Sequence, residues 1–393
     1  MQKLTITRTN GNIPKSLAGL DHVSGLLVYM ATGDIPEAFK TEPIQPVSTL
    51  ERAEALGIVA DAKAWAVKML HYQLSELFRV GSGISLYLMI APKGSTLTFE
   101  ELGQLQRYAE GSIRQVGVWM GHTELTATLV AKLEAVAEAL DGSNAPLSVL
   151  VAPKVGELTT LENLSGAAPR VSVVIGQDGA GEAADLYADA ANQTEQNGAK
   201  ASVSALGVVL ALVAKASVHE SIAWVRQNAT GISLPAFGNG TLLRDVDPAL
   251  LEALDGKRLL FFVTYPGIAG AYVNDSHTLD DATSDYAMIE NVRTMDKAVR
   301  GIRTYLTPEL GSSVYIDDLS GRLQPFTIKH LEIVANQALE DMEKAGELSG
   351  YRVEIDPEQD VLKTSSLEVV VKQVPVGVVR RIHVKIGFYK NLS

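Results

Sequence analysis

The sequence contains no cysteine among its 393 residues, so nothing in it depends on disulfides or thiolates, which suits a reducing compartment. Long apolar runs are also missing, because the longest uncharged stretches, Ala201–Ala214 and Leu259–Asn274, are shorter than a membrane span. The opening residues lack the apolar core of a secretory signal. A net charge of −12 argues against a general nucleic-acid binder. We therefore expect a soluble protein made in the cytoplasm, with no nucleic-acid partner and no membrane insertion.

Acidic residues are absent from both ends of the chain. Residues 1–20 hold three basic residues and residues 369–393 hold five, so the ends carry +8 and the body between them carries −20. Both ends alternate apolar and polar residues as strands do. We expect the ends to dock as arms on an acidic surface of a neighbouring copy, with solvated tails as the alternative. The predicted arm residues are Leu4, Ile6 and Arg8 at one end, and Arg381, Ile382, Val384, Lys385, Ile386 and Phe388 at the other.

The last of these stretches, Arg381–Phe388, predicts a half-buried strand. Four apolar residues alternate with three basic or histidine residues over its length. We expect the apolar side to pack on the domain at the C-terminal end of the same chain. The apolar positions are Ile382, Val384, Ile386 and Phe388, and the polar ones are Arg381, His383 and Lys385.

Helical and strand-like segments alternate in the middle of the chain, which predicts a doubly wound, largely parallel α/β sheet. A different pattern follows, with two long amphipathic helices and then strands, which is typical of an α+β unit. We predict five regions. These are an N-terminal arm over 1–19, the first part of a core domain over 20–95, an inserted α/β domain over 96–268, a C-terminal α+β core domain over 269–366, and terminal strands with an arm over 367–393.

One glycine-rich loop is the best candidate for enzyme chemistry. Gly176, Gly179 and Gly181 follow a predicted strand and precede a possible helix, where backbone amides could hold a phosphate. Their spacing matches neither of the two common nucleotide-binding motifs, and no lysine follows. We favour a simple loop, and a nucleotide- or sugar-binding enzyme remains the alternative.

Other candidate sites are weaker. Asp275, Asp280, Asp281 and Asp285 lack the spacing and the central glycine of a calcium loop, so we favour a polar loop with a helix cap at Ser284 or Asp285. The seven histidines are dispersed, and neither a zinc-protease motif nor a serine-hydrolase motif is present. We expect no metal, cofactor or catalytic residue, although catalytic residues can also be brought together from distant positions.

A basic stripe lies on the first helix of the C-terminal region, predicted over about Tyr286 to Leu306. Arg293, Lys297 and Arg300 recur at spacings of four and three residues and therefore share one face. The stripe is either a solvated face or a binding face for an acidic partner. The sequence leaves both open.

The order of these features resembles the sheath subunits of contractile phage tails and injection systems. Near the start, GLDHVSGLLVYM, PVSTLERAEALGI and YQLSELFRVGSGISLYLMIAP are similar to the early segments of that family. Stronger likeness lies in SDYAMIENVRTMDKAVRGIRTYL, TIKHLEIVANQALEDMEKAGELSGYRVEID and LEVVVKQVPVGVVRRIHVKIGF. The family often carries two adjacent arginines at the start of the first of these helices, whereas here Thr294 follows Arg293.

The resemblance implies a structural protein. Sheath subunits form six-fold rings that stack helically around an inner tube, and their arms complete the sheets of neighbouring subunits. The inserted domain faces outward, and the C-terminal core domain faces the tube, which makes Arg293, Lys297 and Arg300 candidate tube contacts. Contraction drives the tube through a target membrane. The implied partners are further copies of the chain, an inner tube protein, and baseplate and terminator or cap proteins, in a phage tail, a secretion system or a free particle. A non-contractile scaffold with the same arms is a further alternative.

Overall fold

The computed structural model describes residues 17–94, 96–195 and 200–388. The chain divides into two compact units, which we call unit 1 (up to Thr304) and unit 2 (from Tyr305). The predicted arm residues Leu4, Ile6 and Arg8 lie outside the described residues.

Unit 1 contains eleven strands and ten helices among its described residues. The strands are β1 (Ser24–Met30), β2 (Ile44–Val47), β3 (Leu86–Pro92), β4 (Gln115–Glu124), β5 (Ser148–Lys154), β6 (Val171–Val174), β7 (Gly176–Asp178), β8 (Pro235–Phe237), β9 (Leu259–Leu260), β10 (Phe262–Val263) and β11 (Tyr272–Val273). The helices are α1 (Glu37–Thr41), α2 (Leu50–Ala55), α3 (Trp65–Val80), α4 (Glu101–Tyr108), α5 (Ala127–Gly142), α6 (Gly181–Ala188), α7 (Ala190–Glu195), α8 (Leu206–Lys215), α9 (Pro248–Gly256) and α10 (Ile289–Leu306), whose last turn crosses the boundary with unit 2.

A seven-stranded sheet forms the centre of unit 1, in the order β2-β3-β1-β4-β5-β6-β9. All neighbours are parallel except the edge pair β2 and β3. Alternate residues of β1 face opposite sides, because side chains alternate along a strand. Leu26 and Val28 pack in one buried cluster with α3 and α8, while Leu27 and Tyr29 pack in the other with α4, α5 and α9. This is the predicted α/β class, with helices on both faces of a largely parallel sheet.

Helix α8 shows why the apolar run at Ala201–Ala214 is internal. Every residue from Leu206 to Ala214 is buried, which is expected of a helix that is apolar on all sides. It packs between α3 and the strands β4 and β5. Within the described ranges, each helix is too short or too polar to cross a bilayer.

The predicted domain boundaries are not found in the structure. Strands β1 and β3, from the region 20–95, lie in the same sheet as β4, β5 and β6, from the region 96–268. A boundary at 95 would cut through the hydrogen-bonded pair β1 and β4. The predicted start of a C-terminal domain at 269 is also wrong, because unit 1 continues to Thr304.

Unit 2 has a smaller sheet and core. Strand β12 (Leu348–Glu354) pairs antiparallel with β13 (Val370–Pro375), so the predicted boundary at 366/367 separates two paired strands. The long helix α11 (Pro325–Lys344) packs on β12, and a short helix α12 (Val361–Thr364) follows. Leu323, Leu331 and Ile355 form a buried cluster. Among the described residues, each strand has one neighbour only, so the outer edges of this sheet are open.

A segment that we call the crossing segment, Ala201–Ala205, covers the carboxyl ends of β4, β5 and β6. The Ser202 N–H donates to the Gly121 carbonyl at 2.8 Å, and the Ser202 Oγ accepts the Val155 N–H at 2.7 Å. The Ala205 N–H donates to the Gly176 carbonyl at 2.7 Å. Open parallel sheets usually bind ligands outside these strand ends. In unit 1 the crossing segment occupies part of that position, and a cavity of about 300 Å³ lined by Lys154, Gly156 and Ile175 remains at the ends of these strands.

Glycines permit this close approach. A Cβ at Gly121 would lie 2.3 Å from the Ser202 carbonyl oxygen, and a Cβ at Gly207 would lie 2.0 Å from the Gln73 carbonyl oxygen. The Gln73 side chain joins the same region, because its Nε2 donates to the Ser204 carbonyl and its Oε1 accepts the Gly207 N–H. Backbone atoms cannot move aside as a flexible side chain can, so both glycines are required for packing.

We expect Gly207→Ala to lower the free energy of unfolding by about 1–3 kcal/mol, the usual cost of forcing extra atoms into a packed core. The clash with Gln73 should outweigh the helix preference of alanine. Gly142→Ala at the end of α5 is the control, because nothing lies within 4 Å of its added Cβ. Denaturant unfolding compares them, and equal stability of both variants would contradict the packing role of Gly207.

Candidate functional site

The basic stripe of α10 lies inside unit 1 rather than on a solvated face. Arg293 is buried, and its guanidinium donates to the carbonyls of Ala216 and Ser217 at 3.1 to 3.2 Å. Lys297 Nζ lies 2.7 Å from the Asp21 carboxylate, and both side chains are largely buried. Of the two alternatives left open by the sequence, the solvated basic face is therefore excluded for Arg293 and Lys297. A contact of these residues with a tube protein would require these internal bonds to be replaced.

The charged residues around this stripe form a group that we call the amino-edge cluster. Three of its members lie just before the amino ends of parallel strands. Asp21, Arg114 and Arg170 stand before β1, β4 and β6. The sequence alone did not predict that these residues lie together, because they are far apart along the chain. Helix α10 crosses the same edge and contributes its charged residues. The cluster is Asp21, Arg114, Asp141, Arg170, Arg293, Asp296, Lys297 and Arg300.

Arg170 and Asp296 form the central ion pair of the amino-edge cluster. Two guanidinium N–H groups of Arg170 donate to the two Asp296 oxygens at 2.9 and 3.1 Å, and a further bond runs to Asp141 at 2.8 Å. The Asp296 side chain is 6% exposed. Burial raises the pKa of Asp296, although the bonds from Arg170 oppose that shift. A bidentate pair of this kind fixes orientation as well as charge, so it holds α10 in register on the sheet.

The cluster is sealed rather than open to a ligand. The void between Asp21, Arg114, Asp296 and Arg300 leaves no room for a water molecule. Burial, and then the nearby Arg300 charge, lowers the pKa of Arg114 to about 10. Because the cations are close together and desolvated, the cluster is stable only while its carboxylates stay in place. We interpret the amino-edge cluster as a structural element that holds α10 against the sheet.

The glycine-rich loop is explained by packing and by a turn. A Cβ at Gly176 would lie 2.8 Å from the ring of Phe262, and one at Gly179 would lie 2.4 Å from Leu242. Gly181 has a φ of +63° and begins α6. The Asp178 carboxylate already accepts the Ala180 N–H at 3.1 Å, so an acid of the chain occupies a loop amide that a phosphate would need. These contacts favour the simple loop.

The acidic loop before α10 also forms local turns. The Asp281 carboxylate accepts the Thr283 N–H at 2.8 Å and its hydroxyl at 2.6 Å. Helix α10 begins at Ile289, three residues later than predicted, and the Ser284 hydroxyl accepts the Tyr286 N–H within the turn that precedes it. No group of three histidine or acidic side chains in the described part of the chain is arranged to hold a metal ion.

The C-terminal segment, which we define as residues 376–388, differs most from its prediction. It belongs to no helix or strand. Ile382 and Val384 are 79% and 78% exposed, Ile386 is 96% exposed and Phe388 is fully exposed. The predicted half-buried strand is therefore wrong for the single chain, and its apolar side does not pack on its own domain. A strand requires a neighbour for its backbone groups, and residues 381–388 pair with no strand among the described residues.

Exposed apolar side chains concentrate in unit 2. Of eighteen large apolar side chains that are exposed in the described chain, thirteen belong to this unit of 89 residues. Soluble monomers rarely expose dense apolar surface, so such surface indicates an interface. Besides the C-terminal segment, the exposed positions are Leu310, Tyr315, Leu319, Phe326, Ile333, Leu362, Val370 and Val374.

Comparison with known proteins identifies the family of this chain. The fold is a doubly wound α/β body followed by a small α+β unit. The model of the DUF2586 N-terminal domain matches residues 1–277, and that of the DUF2586 C-terminal domain matches residues 285–393. The chain belongs to the DUF2586 family. No curated protein matches it.

Three solved structures are similar over nearly the whole chain. A chain of the anti-feeding prophage (AFP) baseplate, determined by cryo-EM with six-fold symmetry, gives a TM-score of 0.61 at 17% identity and covers 98% of both chains. The AFP helical sheath in its contracted state gives 0.59 at 17% identity, covering 97% of this chain and 99% of that one. The contracted PVC sheath complex of an extracellular contractile injection system gives 0.51 at 15% identity, covering 99% of both. At these identities the likeness shows the fold.

We expect Asp296→Ala to lower the free energy of unfolding by about 3–5 kcal/mol, because it leaves the Arg170 guanidinium buried without its main partner. Lys40→Ala removes the exposed pair with Glu37 and is the matched control, with an expected loss of about 0–1 kcal/mol. Denaturant unfolding of the two variants gives the comparison. Similar small losses for both would show that the Arg170–Asp296 pair is not what holds α10.

Stability should also depend on pH through Glu134, a buried carboxyl of α5. Burial raises its pKa from 4.5 to about 7, although the Arg170 backbone N–H donates to it at 3.0 Å. The folded state therefore binds more protons than the unfolded state between about pH 4.5 and pH 7. The stability contributed by the protonated form is complete below that window and is lost as pH rises through it.

Glu134→Gln should reduce this loss, because the amide oxygen still accepts the Arg170 N–H and carries no charge. We expect the difference in unfolding free energy between pH 5 and pH 8 to shrink in this variant. Exposed Glu252→Gln in α9 is the control and should leave the difference unchanged. If Glu134→Gln and the wild type show the same pH dependence, Glu134 does not titrate as described.

Proposed function

We propose that this chain is a structural subunit of a contractile sheath. Subunits would polymerise as six-fold rings stacked helically around an inner tube protein, between a baseplate and a terminator or cap. Contraction would drive the tube through a target membrane. The similar structures are chains of a baseplate and of contracted sheaths, and the similarity covers almost all of this chain and of each of them. The particle could be a phage tail or a phage tail-like injection device.

The single observation that carries this proposal is the C-terminal segment. Its apolar side chains are exposed and alternate with basic ones, and unit 2 offers a two-stranded sheet with open edges. A segment of one copy that adds to the sheet of another would satisfy both sets of backbone groups. Such a contact is head-to-tail, and contacts of that kind that do not close build helical filaments. The N-terminal arm residues Leu4, Ile6 and Arg8 would serve a second connection.

A sheath also needs rigid bodies and an energy source. The crossing segment and the amino-edge cluster lock unit 1 internally, which suits a body that moves as a whole. Contraction would be a change between two packings of the same subunits, with energy stored at assembly and a barrier that delays release. A nucleotide is then not required, which agrees with the packing role found for the glycine-rich loop.

The proposal predicts that Ile382→Ser combined with Ile386→Ser abolishes polymerisation. Both side chains are exposed in the single chain, so the substitutions should leave its stability nearly unchanged. Leu362→Ser is the matched control, because Leu362 is also 79% exposed in unit 2 but lies outside the C-terminal segment. Negative-stain microscopy and sedimentation measure the cylinders. Normal cylinders from the double variant would contradict the proposed role of the C-terminal segment. Normal cylinders after deletion of residues 381–393 would contradict it as well.

A further inference from the structure

The cavity of about 300 Å³ at the carboxyl ends of β4, β5 and β6 has no role in the fold described so far. It lies on the face of the sheet that α5 and α9 cover. Val155 lines it, and the Val155 N–H is bound by the Ser202 hydroxyl of the crossing segment. Open α/β sheets bind ligands outside these strand ends, and pockets for small ligands begin at about this volume. The cavity is therefore a candidate ligand site.

The inner part of the cavity is apolar. Val155, Val173 and Ile175 line it and are buried in the core of unit 1. Leu161 and Leu164 line it as well and are half-buried, so apolar surface extends from the core towards solvent. An apolar group that entered would be removed from water on most sides, and binding becomes more favourable in proportion to the apolar area buried.

The loop that lines the cavity, residues 156–166, is bound to elements outside itself. The Asn239 side-chain amide donates to the Gly156 carbonyl at 2.8 Å. Lys257, at the end of α9, donates from its Nζ to the Leu161 carbonyl at 2.6 Å. These bonds hold the loop in place without a ligand. A site that is formed before binding loses little entropy when a ligand enters.

The charged residues that line the cavity are mostly acidic. Glu157 and Glu162 are exposed, and neither forms an ion pair with a described residue. Glu124 pairs with Lys154 at 3.4 Å, so the one lysine of the lining is already neutralised. Helix α5 begins at Thr126 beside the cavity, and its dipole adds about half a positive charge. Three carboxylates against one ammonium and this dipole leave a negative excess.

We infer that this cavity binds a small amphipathic amine. Its apolar chain packs against Val173 and Ile175, and its ammonium group lies at the exposed end, near Glu157 and Glu162. The negative excess disfavours phosphate and carboxylate ligands. Exposed carboxylates contribute modestly in water, so we expect an amine to bind about three- to tenfold more tightly than a neutral analogue. The inference goes beyond the proposed function and does not depend on it, because the whole lining belongs to unit 1 of one chain.

Equilibrium dialysis of the full-length protein against hexylamine, hexanol and hexanoate tests the chemical class. The three probes share one linear chain and are positive, neutral and negative at pH 7. We expect saturable binding of hexylamine, binding of hexanol that is three- to tenfold weaker, and still weaker binding of hexanoate. The inference is overturned if hexylamine shows no saturable binding, or if hexanoate binds at least as tightly as hexylamine.

Glu157→Gln combined with Glu162→Gln tests the position of the ammonium group. Both residues are exposed, so the folded state should be retained. We expect the dissociation constant of hexylamine to rise three- to tenfold and that of hexanol to stay within twofold. Glu100→Gln combined with Glu110→Gln is the matched control, because both are exposed in unit 1 and neither lines the cavity. Equal losses in the two double variants would show a general charge effect and would overturn the assignment.

Leu164→Trp tests the apolar part of the site. The larger side chain, placed at a half-buried position of the lining, should fill the cavity and abolish binding of both hexylamine and hexanol. Thermal unfolding checks that the variant is folded, and Thr160→Trp at an exposed position of the same lining replaces it if it is not. Unchanged hexanol binding by a folded filling variant would place the ligand elsewhere and overturn the inference. Because microscopy scores assembly separately, such a failure would leave the proposed function intact.

Discussion

Residues 381–388 pair with no strand among the described residues of their own chain, and this constraint governs how the segment can be satisfied. Backbone donors and acceptors of a strand require partners, and apolar side chains that alternate along it require cover. Among the described residues, unit 2 leaves two strand edges open and carries thirteen of the eighteen large apolar side chains that are exposed. Under the proposed function, both needs would be met when the segment of one copy pairs with the sheet of another. Self-assembly would then be the state in which this sequence satisfies these groups.

Unit 1 has the opposite character, because segments of its own chain pack across both ends of its parallel strands. The crossing segment covers the carboxyl ends, and the amino-edge cluster binds α10 across the amino ends. A doubly wound sheet usually keeps an open crevice at its carboxyl ends for a ligand. Here backbone that approaches Gly121 within contact distance fills part of the crevice, and a cavity of about 300 Å³ remains at the ends of β4, β5 and β6.

Local patterns predicted the elements of this fold better than their grouping. The alternation of helical and strand-like segments in the middle of the chain was sufficient to predict the fold class. The sheet order was not predictable, because β1 pairs with both β3 and β4, which come later in the chain, and nothing local encodes those partners. The stripe of Arg293 and Lys297 was misleading for the same reason. Its partners, Ala216 and Asp21, lie 77 and 276 residues away. The strand pattern of the C-terminal segment was visible, but a single chain cannot supply its neighbour.

Imaging of the purified full-length protein over a range of concentrations, by negative-stain microscopy before and after a destabilising treatment, tests the central claim most directly. A contractile sheath predicts hollow cylinders with two discrete diameters, the wider one being shorter per subunit. Dispersed monomers at every concentration would contradict self-assembly. Cylinders of one diameter and pitch under all conditions would contradict contraction and indicate a static scaffold.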